Sequence, residues 1–183
     1  MTEEIIIAGF GGQGVLSMGK ILAYSGIMHG QEVSWMPAYG PEMRGGTANV
    51  TVILSDERVD SPILNSFDTG IILNQQSMSK FEKAIKPGGL LLYDTNGISH
   101  HPTRTDINIY TIDAATLASE NGNSKIMNMV ALGAYLKLKP IVEIDNVIEA
   151  LKKSLNKRYH HLIPENEKAI EIGMENLKCV LKG

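Results

Sequence analysis

The stretch "EIIIAGFGGQGVLSMGK", residues 4–20, predicts the fold class of this chain. It begins with a short apolar run, breaks into glycines, and continues with the spacing of an amphipathic helix. A strand buried on both faces, as in a parallel sheet, has such a continuous apolar run. The stretch therefore predicts a strand, a tight glycine turn and a helix, which together form the opening unit of an α/β sheet.

The same alternation continues over the first two-thirds of the chain. Further strands are predicted in "EVSWMP", "DTGIILNQ", "LLLYDTN" and "INIYTID", and residues 47–56 alternate like an antiparallel edge strand. Helices are predicted in "SMSKFEKAIKPGG", where Pro-Gly-Gly ends the helix, over residues 114–139 with a break near 121–123, and in two C-terminal stretches. We predict one Rossmann-like domain over residues 1–183, with a mostly parallel sheet, helices on both faces and C-terminal helices.

Composition excludes several classes of protein. The net charge of −3 gives no electrostatic reason to expect nucleic acid or an anionic membrane as a partner. No apolar run approaches the roughly 20 residues that a membrane span needs. The acidic N-terminus leads directly into a strand and does not resemble a signal peptide, so we predict a cytoplasmic protein.

Cys179 is the single cysteine of the chain. One thiol cannot hold an iron–sulfur cluster or a structural zinc and cannot form an internal disulfide. The residue lies in a terminal helical pattern, which favours a small core residue over a reactive thiol. The pairs His100-His101 and His160-His161 are poor metal candidates because adjacent side chains point apart, so no metal site is predicted.

The sequence "GFGGQG" satisfies G-x-G-x-x-G with Gly9, Gly11 and Gly14, between a predicted strand and a predicted helix. Glycines there let backbone N–H groups approach a phosphate at the positive end of the helix. A tight turn without a ligand explains the pattern equally well. A dinucleotide site also needs an acid about 20 residues later, and "EVSWMP" ends without one. A P-loop is disfavoured as well, because Ile21 follows Lys20 where Ser or Thr would bind magnesium.

A second unusual loop is "YGPEMRGG", residues 39–46. Arg44 suits a bidentate anion such as phosphate or carboxylate, and Gly45 and Gly46 permit close backbone contact. An internal pair between Arg44 and an acid such as Glu42 is the competing interpretation. In an open α/β sheet, loops after the strands gather at the carboxyl edge, so this loop and the glycine turn should lie side by side.

Three motifs together resemble the gamma subunit of the 2-oxoacid:ferredoxin oxidoreductases. They are "GFGGQGVLSMGK", "WMPAYGPEMRGGTANV" and "NMVALGAY", and the second is the most specific. The elements "SDERVDSP", "GIILNQ" and "PGGLLLYD" add to the likeness, which extends from about residue 5 to 133. Within this group the chain is most similar to the 2-oxoglutarate members.

The resemblance implies oxidative decarboxylation of a 2-oxoacid to an acyl-coenzyme A, with electrons passed to ferredoxin. Thiamine diphosphate and iron–sulfur clusters would belong to partner alpha and beta subunits, with a ferredoxin-like delta subunit as a further candidate partner. This chain would have no catalytic residue of its own. It would contact coenzyme A and the catalytic subunits through Gly11, Gly12, Gln13, Gly14, Tyr39, Arg44, Gly45, Gly46 and Asn74.

Two other classes stay open at the level of sequence. One is a stand-alone nucleotide-binding protein with a Rossmann-like fold, and the other is a scaffold module without chemistry. Partners that carry thiamine diphosphate and iron–sulfur clusters would favour the oxidoreductase subunit, whereas a monomer that binds NAD would favour the first alternative.

Overall fold

The apolar run at the start of the chain forms the central strand of a sheet. The computed structural model describes residues 1–39 and 46–183, apart from the side chain of Tyr39. In this part of the chain, strands β1 to β7 cover Thr2–Phe10, Glu32–Tyr39, Thr47–Ser55, Phe67–Ile72, Ile85–Asp94, Asn108–Ile112 and Lys178–Leu181. Helices α1 to α6 cover Val15–Met28, Gln75–Phe81, Ala114–Glu120, Met127–Leu138, Ile144–Ser154 and Ile163–Asn176.

The described strands form one sheet in the order β2-β3-β1-β4-β5-β6-β7. The neighbours β1, β4, β5 and β6 are parallel, whereas β3 and β7 are antiparallel to the strands beside them. Because β3 reverses between β2 and β1, β2 points the same way as β1. The prediction of a mostly parallel sheet is therefore confirmed.

Alternate residues of β1 enter two separate cores. Ile5 and Ile7 belong to the larger core, with residues of α1, α3, α4, α5 and α6, and Ile6 and Ala8 belong to the smaller one, with Met78 of α2. Helices thus cover both faces of the sheet, as predicted. Burial of successive residues on opposite faces is the reason that residues 5–8 of this strand are all apolar.

The prediction that residues 47–56 form an edge strand is wrong. The strand β3 is antiparallel, but it pairs with β2 on one side and β1 on the other, and its residues from Val50 to Ser55 are buried. The edge is β2, which contains Pro37. A proline lacks the N–H that a central strand would donate, so an edge position suits it.

The prediction of a helix through Cys179 is also wrong. The last helix, α6, ends at Asn176, and the chain continues as β7, which pairs with the outer side of β6. Cys179 lies opposite Tyr110 and is exposed, so it is not a core residue. Pairing with β7 satisfies the N–H and C=O groups on the outer side of β6, which would otherwise be an open edge of the sheet. The spacing of apolar residues in residues 178–181 contains no information about this distant partner.

The helix predicted to end at Pro87-Gly88-Gly89 ends earlier. The helix α2 stops at Phe81, a 3-10 turn covers Glu82–Ala84, and β5 already begins at Ile85. The pairing of β5 with β4 shifts register between Ile85 and Leu90, and Gly88 has a φ of 76°. These residues therefore form an irregularity inside a strand and do not cap a helix.

The helices α4 and α6 pack with their backbones in contact. A Cβ added to Gly133 would lie 2.0 Å from the carbonyl oxygen of Ile170, and one added to Gly173 would lie 1.9 Å from that of Val130. Only glycine fits at both positions. The residues from Asn128 to Leu136 of α4 are all buried, so this helix occupies a fixed place in the larger core.

Candidate functional site

The candidate site lies at the carboxyl edge of the parallel strands. Gly11–Gly14 follow β1, Asn74 lies just beyond β4, and Asp94 ends β5. Parallel neighbours place these chain ends on one side of the sheet. The order of the strands therefore brings together polar residues that are far apart in the sequence.

The glycine turn joins β1 to α1 through two left-handed residues. Gly12 has a φ of 97° and Gly14 a φ of 76°, and Gly14 is the N-cap of α1 without a side-chain cap. Gly11 and Gly12 are exposed. The first N–H groups of a helix have no acceptor inside the helix, so this turn presents donors that suit an anion.

Gln13 has an internal role in this turn. Its Oε1 accepts the N–H of Phe10 at 2.6 Å, and its Nε2 donates to the carbonyl oxygen of Leu73 at 3.3 Å. A Cβ on Gly9 would lie 2.5 Å from Oε1 of Gln13. The first glycine of the motif therefore makes room for this amide, which ties the turn to the end of β4.

The glycine turn contacts the end of the second predicted loop. The N–H of Gly11 donates to the carbonyl oxygen of Gly46 at 2.9 Å. The predicted proximity of the two loops thus holds at Gly46. The reason differs from the predicted one, which was that both loops follow strands at the same edge of the sheet. The strand β3 lies between β1 and β2, and its first residue, Thr47, pairs with Phe10 at the end of β1.

The rest of this loop is outside the described residues, including Arg44 and Gly45. The backbone of Tyr39 ends β2 opposite Ala48, and its side chain is not described. The roles predicted for Tyr39, Arg44 and Gly45 remain predictions.

Asn74 caps the helix α2. Its Oδ1 accepts the N–H of Ser77 at 2.8 Å at the start of α2. The residue is 1% exposed, and its Nδ2 has no hydrogen-bond partner among the described residues. A buried donor without a partner costs about 1–3 kcal/mol, so this amide is stabilised further if a water or another acceptor reaches it.

Asn128 is a site residue that sequence reasoning missed. It is 8% exposed at the start of α4, and its Nδ2 donates to the carbonyl oxygen of Gly14 at 3.3 Å. A Cβ on Gly14 would lie 2.4 Å from that nitrogen. The quoted motif "NMVALGAY" contains this residue, but nothing in its local pattern connects it to a turn 114 residues earlier.

Asp94 is the titratable group of this edge whose pKa changes most clearly. It is 1% exposed, and burial raises the pKa of its carboxyl to about 6, against hydrogen bonds from the N–H groups of Asn96 and Ala114 that lower it. Its Oδ1 accepts the N–H of Ala114 at 3.1 Å, the first residue of α3. Asp94 therefore fastens the turn after β5 to the next helix.

The remaining candidates have local partners. Lys20 is exposed within α1, and its Nζ lies 5.7 Å from the ring centre of Tyr24. Nδ1 of His101 lies 3.1 Å from the hydroxyl of Tyr93, and Nε2 of His160 lies 2.9 Å from the carbonyl oxygen of Lys152. Within residues 1–39 and 46–183, no group of three or more His, Cys, Asp or Glu could hold a metal ion. None of the described helices has the length and apolar character required to cross a membrane.

A mixed sheet with helices on both faces and a glycine turn at its carboxyl edge defines an α/β protein of the Rossmann-like class. Within that class, the chain belongs to the pyruvate ferredoxin/flavodoxin oxidoreductase family, whose model matches residues 4–176. The likeness to gamma subunits that the motifs predicted is thereby confirmed.

Relatives in this family are named for three different 2-oxoacids. The 2-oxoglutarate synthase subunit KorC of Methanocaldococcus jannaschii is 35% identical over 160 residues, with 86% of each chain covered. The ketoisovalerate oxidoreductase subunit VorA of Methanothermobacter marburgensis is 41% identical over 135 residues, 74% of this chain. The chain spans only 28% of that VorA protein and 36% of its counterpart from Methanothermobacter thermautotrophicus.

Solved structures agree with the fold. The gamma subunit of a keto/oxoacid ferredoxin oxidoreductase from Geobacter sulfurreducens has a TM-score of 0.82 at 29% identity, covering 96% of both chains. A 2-oxoglutarate:ferredoxin oxidoreductase from Magnetococcus marinus, with 2-oxoglutarate, coenzyme A and succinyl-CoA bound, has a TM-score of 0.86 at 27% identity. That match covers 95% of this chain and 30% of the longer one.

Proposed function

We propose that this chain is the gamma subunit of a 2-oxoacid:ferredoxin oxidoreductase complex. The complex decarboxylates a 2-oxoacid oxidatively, forms an acyl-coenzyme A and passes the electrons to ferredoxin. Membership of the family and the match to a gamma subunit over 96% of the chain support this proposal.

We propose 2-oxoglutarate as the substrate of that complex. Among the relatives that match this chain over most of both lengths, the 2-oxoglutarate synthase subunits reach 31–35% identity, whereas a pyruvate synthase subunit reaches 29%. The ketoisovalerate subunits are more similar in sequence but much longer.

Redox chemistry belongs to the partner subunits in this proposal. The chain has one cysteine, which is exposed on β7, and one thiol cannot ligate an iron–sulfur cluster. Alpha and beta subunits would carry thiamine diphosphate and the clusters, and a ferredoxin-like delta subunit is a further candidate. This chain would act through binding and shape.

In this proposal, the glycine turn (residues 11–14) and the loop of residues 39–46 form a wall of the site that covers coenzyme A. The observation that supports it best is the hydrogen bond from Gly11 to Gly46, because it joins the glycine turn to the loop that contains Arg44. The first N–H groups of α1 and the guanidinium of Arg44 would suit the phosphates of coenzyme A. A closed wall also excludes water from the reacting carbon.

The first experiment isolates the tagged chain with its companions from the native host. Mass spectrometry identifies the companions, and the complex is then assayed for ferredoxin reduction with 2-oxoglutarate, pyruvate or 2-ketoisovalerate in the presence of coenzyme A. Ferredoxin reduction only with 2-oxoglutarate supports the full proposal. A chain that purifies alone and binds NAD would contradict it.

The second experiment tests the wall with Arg44→Ala in the assembled complex. Loss of a charged partner for a phosphate should raise KM for coenzyme A about tenfold and leave KM for the 2-oxoacid unchanged. Arg58→Ala is the matched control, because Arg58 is exposed and follows β3 at the end where Ser55 pairs with Thr2, the opposite edge of the sheet. Equal effects of the two variants would refute the wall.

A further inference from the structure

We propose that Asn128 is a positioning residue that holds the glycine turn in the orientation in which coenzyme A meets it; this inference rests on the proposed function. Asn128 does not face the ligand in this account. It acts through the carbonyl oxygen of Gly14, to which its Nδ2 donates at 3.3 Å.

The carbonyl of Gly14 controls how the helix begins. It also accepts the N–H of Met18 at 2.9 Å, the first hydrogen bond of α1. The peptide that carries this carbonyl carries the N–H of Val15, and the following N–H groups lack acceptors inside the helix. A change in the direction of this one carbonyl therefore rotates the donors that the turn offers to an anion.

The side chain of Asn128 packs directly against Gly14. A Cβ on Gly14 would lie 2.4 Å from Nδ2 and 3.0 Å from the Cβ of Asn128, so the amide packs directly on the glycine. Oδ1 of Asn128 accepts the N–H of Met129 at 3.0 Å, which orients the amide with its nitrogen toward the turn. Both ends of the side chain are thus occupied.

The helix that carries Asn128 is held in place. The residues from Asn128 to Leu136 are buried, and Gly133 contacts the backbone of α6 so closely that no side chain fits. A helix confined in this way cannot follow a displaced loop, so its first turn is a fixed reference point for the glycine turn. Gln13 provides the other attachment, to Leu73 at the end of β4.

The test replaces the donor without changing the shape of the side chain. In Asn128→Asp the ionised carboxylate faces the Gly14 carbonyl, cannot donate to it, and places negative charge beside the turn. We expect KM for coenzyme A to rise about tenfold at pH 8, with kcat within twofold of wild type. Asn128→Ala, which carries no charge, should raise KM about threefold.

The control is Asn121→Asp, which removes an amide donor from the exposed residue that bonds the carbonyl oxygen of Leu117 at 2.9 Å. It should leave KM for coenzyme A unchanged. Unchanged KM in both Asn128 variants, while Arg44→Ala raises it, would overturn the inference.

A readout without turnover separates this inference from the proposed function. In the full chain, Asn128→Asp should speed hydrogen exchange of the Gly11 and Met18 amides about tenfold, whereas exchange within α4 should not change. If Arg44→Ala has no effect on KM, the wall proposal fails and this measurement alone decides the role of Asn128. Unchanged exchange at Gly11 and Met18 would overturn that role.

Discussion

Substitution of alanine for Gly14 measures the contact between the glycine turn and α4. Gly12 and Gly14 both have positive φ, at 97° and 76°, but their surroundings differ. A Cβ on Gly12 would meet no atom within 4 Å, whereas one on Gly14 would lie 2.4 Å from Nδ2 of Asn128. The pair of variants therefore separates the cost of the backbone conformation from the cost of the collision.

The two costs can be assigned approximate values. A left-handed conformation disfavours alanine by about 1–2 kcal/mol, which is the loss of unfolding free energy expected for Gly12→Ala. Forcing a side chain into an occupied space adds about 1–3 kcal/mol, so Gly14→Ala should lose about 2–5 kcal/mol. In a chain of this size each kcal/mol corresponds to about 2–4 °C in Tm.

A double-mutant cycle identifies the colliding partner. Asn128→Ala alone loses a hydrogen bond, worth about 1 kcal/mol, together with some packing. In the double variant with Gly14→Ala the contacts of the added Cβ with Nδ2 and Cγ of residue 128 are absent, and only the contact with its Cβ, at 3.0 Å, remains. The combined loss should therefore be about 1–2 kcal/mol less than the sum of the single losses.

The assay is urea unfolding of the full chain, with free energies compared at a common m value. Two results would refute the reasoning. One is that Gly14→Ala and Gly12→Ala lower the free energy of unfolding by amounts that agree within about 0.5 kcal/mol. The other is that the loss in the double variant equals the sum of the two single losses.

Two further substitutions test the packing and the electrostatics of the fold. Gly133→Ala should lower the unfolding free energy by about 2–4 kcal/mol in urea titrations, although alanine favours helices, because the added Cβ lies 2.0 Å from a backbone oxygen of α6. Gly26→Ala is its control, since the added Cβ meets the movable end of the Leu54 side chain, and an equal loss in both variants would contradict the argument. For Asp94, whose pKa is raised to about 6, the folded state holds the proton more tightly than the unfolded state, so the contribution of this residue to the free energy of unfolding falls as the pH rises from about 4 to 6. Asp94→Asn should remove that fall, which amounts to about 3 kcal/mol. The free energy of unfolding of the variant should equal that of the wild type near pH 4 and exceed it at pH 7.5. A variant less stable than the wild type at pH 7.5 would contradict this prediction.

Local chain preferences determined most of the elements and the glycine turn. The apolar run of β1 and the glycines after it predicted a strand, a turn and a helix, and all three are present. The motifs in "GFGGQG" and "YGPEMRGG" also predicted two neighbouring loops, whose proximity holds at Gly46. The strand, the turn and the helix depend on residues adjacent in the chain, where steric limits on φ and the spacing of apolar side chains act directly.

The tertiary structure alone decided which strands are edges and which residues hold the turn. The strand β3 is central because it pairs on both sides, and residues around Cys179 form a strand because β6 leaves an edge for them. Asn128 reaches Gly14 across 114 residues, and Gln13 reaches Leu73 across 60. Such contacts depend on the order of the strands within the sheet. That order is set by burial over the whole sheet and not by any local sequence pattern.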